Sequence, residues 1–134
     1  MRFALAADAA YDLVEVVAAR LELLGHEVQR LPVADWVAAG RGAAEAVAQG
    51  HADRAVVICW TGTGVSIAAN KVPGVRAALC SDAATAAGAR RWNDANVLAL
   101  GARSISAAVG QEIVDAFCAG EPDADELPVI ARLS

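Results

Sequence analysis

A chain of 134 residues is long enough for one domain with a substantial core and gives no reason to expect a second. Hydrophobic residues make up 57% and aromatic residues only 4%, a balance that suits helices packed closely on a sheet and disfavours an all-β sandwich of large side chains. A net charge of −5 with no basic cluster argues against broad nucleic-acid binding, and Cys59, Cys80 and Cys118, without C-x-x-C spacing, indicate neither a disulfide framework nor a zinc site.

In chain order, MRFALAAD reads as a first strand from Arg2 to Ala7 that ends at Asp8, rather than as a signal peptide. Ala10 to Leu24 carries Leu13, Val14, Val17, Leu21 and Leu24 at helical spacing, and Gly25 stops it. His26 to Leu31 is a second strand. Pro32 to Gly40, with Asp35 and Trp36, is a connection without a defined form, and Ala43 to Ala48 continues as helix to Gly50. Ala55 to Ile58 is an apolar, β-branched run of the kind buried on both faces of a parallel sheet. Cys59 stands at its carboxyl end, and Thr61-Gly62-Thr63-Gly64 leads into a helix over Val65 to Asn70.

Pro73-Gly74 marks a turn before a fourth strand, Val75 to Cys80. Ser81 and Asp82 are N-cap types for an alanine-rich helix reaching Trp92. Val97 to Gly101 is a fifth strand, and Ser106 to Ala119 a helix closed by Gly120. Glu121 to Ser134 holds two prolines and four acids and reads as a tail or arm. Repeated strand–helix units imply parallel pairing, hence a single three-layer α/β/α sandwich, Rossmann-like, over 1–134 with about five parallel strands. No apolar run is long enough to span a bilayer, and a soluble cytoplasmic protein is expected.

In open parallel sheets ligands bind beyond the carboxyl ends of the strands. Asp8, Cys59 with its loop, Ser81-Asp82 and Arg103 all follow strands. Asn93, Asp94 and Asn96 precede the fifth strand by only a few residues, which puts them at the opposite edge, from where they would reach another subunit's site. Glycines at 62 and 64 allow close backbone approach, and a helix start offers unpaired N–H groups to an anion. A thiol beside such a start is a candidate base or nucleophile. Free cysteine alone is more often a buried structural residue, which remains the expectation for Cys80 and Cys118. Lys71 reads as a helix-end or solvent residue. A dinucleotide loop is poorly supported: Ile67 stands where a third glycine or alanine is needed, and no G-K-[ST] ending follows.

CWTGTGVSIAANKVPGVRAALC followed by WNDANVLALGAR resembles the ribose-5-phosphate isomerase B family, which also contains the two galactose-6-phosphate isomerase subunits. The family pattern is approximately C-G-T-G-x-G-x-S-I-A-A-N-K, G-x-R-A-A-x-C and H-N-D-x-N-V-L-x-x-G-x-R, matched here from about Ala55 to Arg103. The resemblance implies an aldose–ketose isomerase moving a proton between C1 and C2 of an open-chain sugar phosphate through an enediolate, without a metal or other cofactor. Cys59 corresponds to the base and Thr61 to the hydroxyl beside it. The amides of Gly62, Thr63 and Gly64 would hold the oxyanion, with Ser66 in the same substrate-contacting set. Asn93 matches a substrate-binding asparagine, Asp8 the first-strand aspartate and Arg103 an arginine at the phosphate end. The resemblance also implies a homodimer or higher assembly, such as a tetramer, whose sites use both subunits.

Three positions depart from the pattern. The family has Asp-His where this chain has Asp8-Ala9, and His-Asn-Asp where it has Trp92-Asn93-Asp94; the histidine before the asparagine is assigned to opening the sugar ring. Trp60 replaces the glycine after the cysteine, and Arg132 is the sole basic residue after Arg103, where the family commonly has two arginines for phosphate. These changes fit three outcomes: an altered substrate, an inactive or heteromeric partner subunit, or other chemistry at a retained enediolate site, such as epimerisation or isomerisation of a non-phosphorylated or non-sugar metabolite.

Overall fold

The computed structural model describes residues 1–133 as a five-stranded parallel sheet with helices on both faces, the expected three-layer arrangement. The strands are β1 (Arg2–Ala7), β2 (Glu27–Arg30), β3 (Arg54–Cys59), β4 (Ala77–Leu79) and β5 (Val97–Gly101), in the spatial order β2-β1-β3-β5-β4. The helices are α1 (Asp12–Leu23), α2 (Trp36–Ala48), α3 (Thr63–Asn70), α4 (Ala83–Asn93), α5 (Ala107–Ala119) and a short α6 (Leu127–Ile130). Residues 124–133 form α6 with a 3₁₀ turn on either side of it. No helix among the described residues is long and apolar enough to cross a membrane.

Side-chain size alternates along the strands and sets the spacing of the layers. Phe3, Leu5, Val56, Ile58, Leu98 and Leu100 face α1, α4 and α5, where Val17, Leu21, Ile113 and Phe117 complete a core of large side chains. Ala4, Ala6, Ala55, Val57, Val97 and Ala99 point the other way, toward Ala39, Ala43, Ala44, Val65 and Ala69 of α2 and α3. Small residues on both sides let that second layer lie close to the sheet. Cys59 belongs to this small-residue face.

The connection before the second helix is more ordered than its sequence suggests: α2 begins at Trp36, because Asp35 caps it by accepting from the Ala38 amide at 2.9 Å. Gly40 and Gly42 look like helix breakers, yet both lie inside α2. A Cβ on Gly40 would stand 2.7 Å from the Val65 carbonyl oxygen and 2.9 Å from the Ala68 Cβ, so close contact with α3 requires glycine there. β4 is shorter than the expected 75–80 because Arg76 leaves the strand geometry, its amide held by the Asn96 side chain. Asn70 covers the free edge of β4: its side-chain amide accepts from the Ala77 N–H at 2.8 Å and donates to the Ala77 carbonyl at 3.0 Å. This occupies backbone groups that an exposed edge would otherwise offer to another strand.

Two buried arginines close the far end of the core. Arg54 and Arg90, 7% and 3% exposed, both lie over the Phe117 ring and donate to carbonyls at the end of α5, those of Phe117 and Gly120. Cations favour a helix carboxyl terminus, which explains this placement and leaves neither arginine available for a ligand.

Two glycine substitutions test the packing. Gly40→Ala should lower unfolding stability by about 1–3 kcal/mol through overpacking against α3, read by urea denaturation; wild-type stability would show that α2 and α3 separate freely. Gly62 has φ +80°, and a Cβ there would also meet the Gly101 nitrogen at 2.8 Å. Gly62→Ala should therefore cost at least about 1–2 kcal/mol from backbone strain alone, and an unchanged denaturation midpoint would contradict the packing described.

Candidate active site

The sheet topology itself creates a crevice. After β1 the chain passes to α1 on the large-residue face, and after the adjacent β3 it passes to α3 on the small-residue face. Adjacent strands whose connections diverge leave an opening between their carboxyl ends, where open α/β sheets bind ligands. Asp8 ends β1 and Cys59 ends β3, and the Asp8 amide donates to the Ile58 carbonyl at 3.2 Å. The two side chains expected to do chemistry therefore flank that opening.

Cys59 is 5% exposed, and the Gly62 amide donates to its Sγ at 3.2 Å, which orients the sulfur toward the loop. The left-handed conformation of Gly62 turns the chain sharply into α3, which starts at Thr63, two residues before the expected Val65. Thr63 and Gly64 thus occupy the first helical turn, where backbone N–H groups lack intrahelical partners. The Thr61 and Thr63 hydroxyls lie 2.8 Å apart on the exposed side, and Ser66, half-buried, follows within α3.

The loop is held from beneath by β5. Ala102 N–H donates to the Cys59 carbonyl and Arg103 N–H to the Trp60 carbonyl, both at 2.9 Å. A Cβ on Gly101 would stand 2.5 Å from the Thr61 carbonyl oxygen, so the end of β5 meets the loop backbone to backbone. Arg103 is thereby placed beside Trp60, and among the described residues its exposed guanidinium has no partner. Asp8 does not cap α1. Its Oδ1 accepts from the Tyr11 hydroxyl at 2.7 Å.

Two aromatic residues at the site escaped the sequence reading. Tyr11 stacks on Trp60 with ring centroids 6.3 Å apart and an interplanar angle of 27°. Trp36 lies against Gly64, where a Cβ would stand 2.8 Å from its Cε3. The available signals were a tyrosine three residues after the strand-ending aspartate and a tryptophan following an N-cap aspartate. Burial is the largest cause of the rise of the Tyr11 phenol to about 12, with the Asp8 hydrogen bond and the charges of Asp8 and Cys59 adding to it. Burial likewise pushes the Cys80 and Cys118 thiols up to about 11, which suits core residues. Ala9, half-buried, lines a cavity of about 320 Å³ with Tyr11, Glu15 and Arg30, of which Trp60 is not part.

The asparagine-rich motif divides into structural and free members at the opposite end of the sheet. Asp94, with φ 47°, binds Arg76 and Arg90 at 3.2 and 2.9 Å. Asn96 accepts from the Arg76 amide and donates to the Gly74 carbonyl. Asn93 closes α4, is exposed, and has no side-chain partner among the described residues. Trp92 covers Gly88, where a Cβ would stand 2.6 Å from its ring, and is 52% exposed beside the Arg91 guanidinium. Within one chain, Trp92 and Asn93 are not brought to Cys59: they precede β5, and the Cys59 loop packs on its other end.

Comparisons with known proteins agree with this architecture. The chain is 47% identical over 78 residues to galactose-6-phosphate isomerase subunit LacB of Clostridium acetobutylicum, covering 58% of this chain and 45% of that protein. It is 45% identical over 78 residues to D-erythrulose-4-phosphate isomerase of Pectobacterium atrosepticum, covering 58% and 51%. The chain thus spans about half the length of the curated relatives it matches. The solved structure of ribose-5-phosphate isomerase B from Clostridium thermocellum superposes with a TM-score of 0.94 at 37% identity, over 99% of this chain and 95% of that one. With the profile of the Ribose/Galactose Isomerase family matching residues 3–127, the chain belongs to that family.

Proposed function

We propose that this protein is a sugar phosphate isomerase that moves a proton between C1 and C2 of an open-chain aldose phosphate through an enediolate. The observation that carries this is the Cys59 sulfur, at the topological switch point, held by the first amide of a glycine loop that opens α3. Cys59 removes the proton at carbon. The Gly62 amide holds the sulfur, and the amides of Thr63 and Gly64 offer fixed donors to the oxyanion that forms, the kind of interaction whose loss in other enzymes costs about 2.7–4 kcal/mol. Thr61 and Ser66 supply hydroxyls to substrate oxygens, and the unpaired Arg103 receives the phosphate.

The substrate we infer is one that needs no ring opening. Ala9 and Trp92 stand where the resemblance calls for histidines, and no imidazole replaces them: His51 lies in the loop between α2 and β3, and His26 bonds the amino terminus. A five-carbon aldose 5-phosphate closes a furanose ring through O4, whereas a four-carbon aldose 4-phosphate has that oxygen esterified and remains open. A relative named as an isomerase of D-erythrulose 4-phosphate is consistent with such a substrate. Trp60 adds bulk beside the sulfur, which also favours a short chain.

Completion of the site requires a second copy of the chain. Asn93, free at the far edge of the sheet, would enter a neighbouring subunit's crevice, and Trp92 would lie beside it. This makes the working unit a homodimer or a multiple of it.

Cys59→Ala should reduce kcat/KM by at least about 10²–10⁴-fold on whichever phosphorylated aldose the wild type converts, with the denaturation midpoint retained. Undiminished turnover would remove Cys59 as the base. Across four-, five- and six-carbon aldose phosphates, turnover of ribose 5-phosphate should fall at least tenfold below that of the four-carbon substrate. Equal or faster turnover of ribose 5-phosphate would contradict the ring-free assignment.

A further inference from the structure

Isomerisation moves two protons, one between carbons and one between oxygens, and the Cys59 loop accounts only for the first. The histidines that the resemblance would bring near the oxygens are Ala9 and Trp92 here, so the oxygen-side acid and base must be sought among other groups. At the crevice between β1 and β3, Asp8 and Tyr11 are titratable side chains that bond each other beside the strand end carrying Cys59. Tyr11 half-covers itself against the Trp60 ring, and its hydroxyl donates to Asp8 Oδ1 at 2.7 Å. It sits at the N-cap position of α1 without capping it, in an extended conformation with φ −80° and ψ 147°. Its orientation therefore comes from Asp8 and Trp60 rather than from any duty to the helix.

We propose that Tyr11 is a catalytic residue, the acid and base for the substrate oxygens, working as a pair with Asp8 and held in place by the indole of Trp60. This assignment rests on the isomerase function proposed above.

The step balances without any further reactant. A Cys59 thiolate takes the C2 proton; the C–H electron pair forms the C1–C2 double bond, and the carbonyl π pair moves onto O1. The O2 proton passes to Tyr11 Oη as the phenolic proton passes to Asp8 Oδ1. The pair then returns a proton to O1 by the reverse path. The O2 electrons form the new carbonyl at C2 as sulfur gives its proton back to C1. Asp8, Tyr11 and Cys59 end as they began.

Two observations suit Tyr11 to this relay. The phenol carries its proton throughout the neutral range, since burial and Asp8 hold its titration near 12, so it enters the cycle as a donor. Asp8, the partner of the phenol, is tied by its own amide to the carbonyl of Ile58, the residue before Cys59, which puts the pair at the same crevice as the sulfur. Trp60 then has a role in this chain that a glycine at its position would not supply: it is a positioning residue for the phenol.

The test uses the full-length protein and the same panel of aldose phosphates. Tyr11→Phe keeps the ring on Trp60 and removes only the hydroxyl. It should lower kcat by about 10²-fold or more, with KM changed less than threefold and the denaturation midpoint unaltered. Asp8→Asn and Tyr11→Phe combined should be scarcely worse than the more damaging single change, because groups acting in one relay are not additive. Wild-type kcat in Tyr11→Phe, or losses that add in full, would overturn the assignment. If Tyr11→Phe remains active while Cys59→Ala is dead, Tyr11 alone is wrong; if the wild type converts no member of the panel, the isomerase function fails and the relay with it.

Discussion

The site depends on one backbone contact, the seat of the Thr61–Gly62 turn on the carboxyl end of β5. Gly62 and Gly101 face each other with no room for a Cβ on either, and the amides of Ala102 and Arg103 bind the carbonyls of Cys59 and Trp60. This contact ties the end of β3 to the segment after β5, fixing the height of the loop above the sheet. From it follow the direction of the Gly62 amide toward Sγ, the entry into α3 two residues early, and the placement of Arg103 beside Trp60. Any side chain at 62 or 101 would lift the loop, and a loop that moves carries the Cys59 sulfur and the first amides of α3 with it.

The same economy of volume runs through the layer below. Ala39, Gly40 and Ala43 of α2 meet Val65 and Ala69 of α3 over the alanine-bearing face of the sheet, so a chain with few aromatic residues still fills its interior. Burial in that layer holds α3 rigidly and leaves its first turn at the surface. Two of the three tryptophans, Trp60 and Trp92, stand where the sequence departs from the family pattern. Trp60 stacks on Tyr11, Trp36 lies on Gly64, and Trp92 lies over Gly88. Indoles beside glycines at the crevice and at the far sheet edge reshape surfaces without disturbing the core.

Much of this was legible in the sequence because apolar runs bounded by glycine and proline define buried parallel strands, and all five were located to within a few residues. The position of Cys59 followed directly, since a strand end fixes where its last side chain sits. The start of α2 was obscured because Gly40 and Gly42 read as breakers until their contacts with neighbouring chain are known. The partner of Asp8 was hidden for a related reason: only the three-dimensional path shows Tyr11 reaching back to it. The asparagine motif reads as one unit in sequence but divides in space. Asp94 and Asn96 bind Arg76 to shape the approach to β5, and Asn93 is left free. Sequence spacing cannot separate these duties because the partner, Arg76, lies 18 residues from Asp94.

The central claim is that the Cys59 sulfur and the loop amides face the reacting carbons of a short, open sugar phosphate. A crystal structure with a three-carbon phosphorylated hydroxamate, whose N–OH stands in for C1 and O1 of the planar four-carbon enediolate, measures this most directly. The account predicts hydroxamate oxygens within hydrogen-bond distance of the amides of Thr63 and Gly64, Sγ about 3–3.5 Å from the carbon it would deprotonate, and Asn93 of a second copy against the ligand. A ligand seated away from the loop, or a sulfur turned from its reacting carbon, would contradict it.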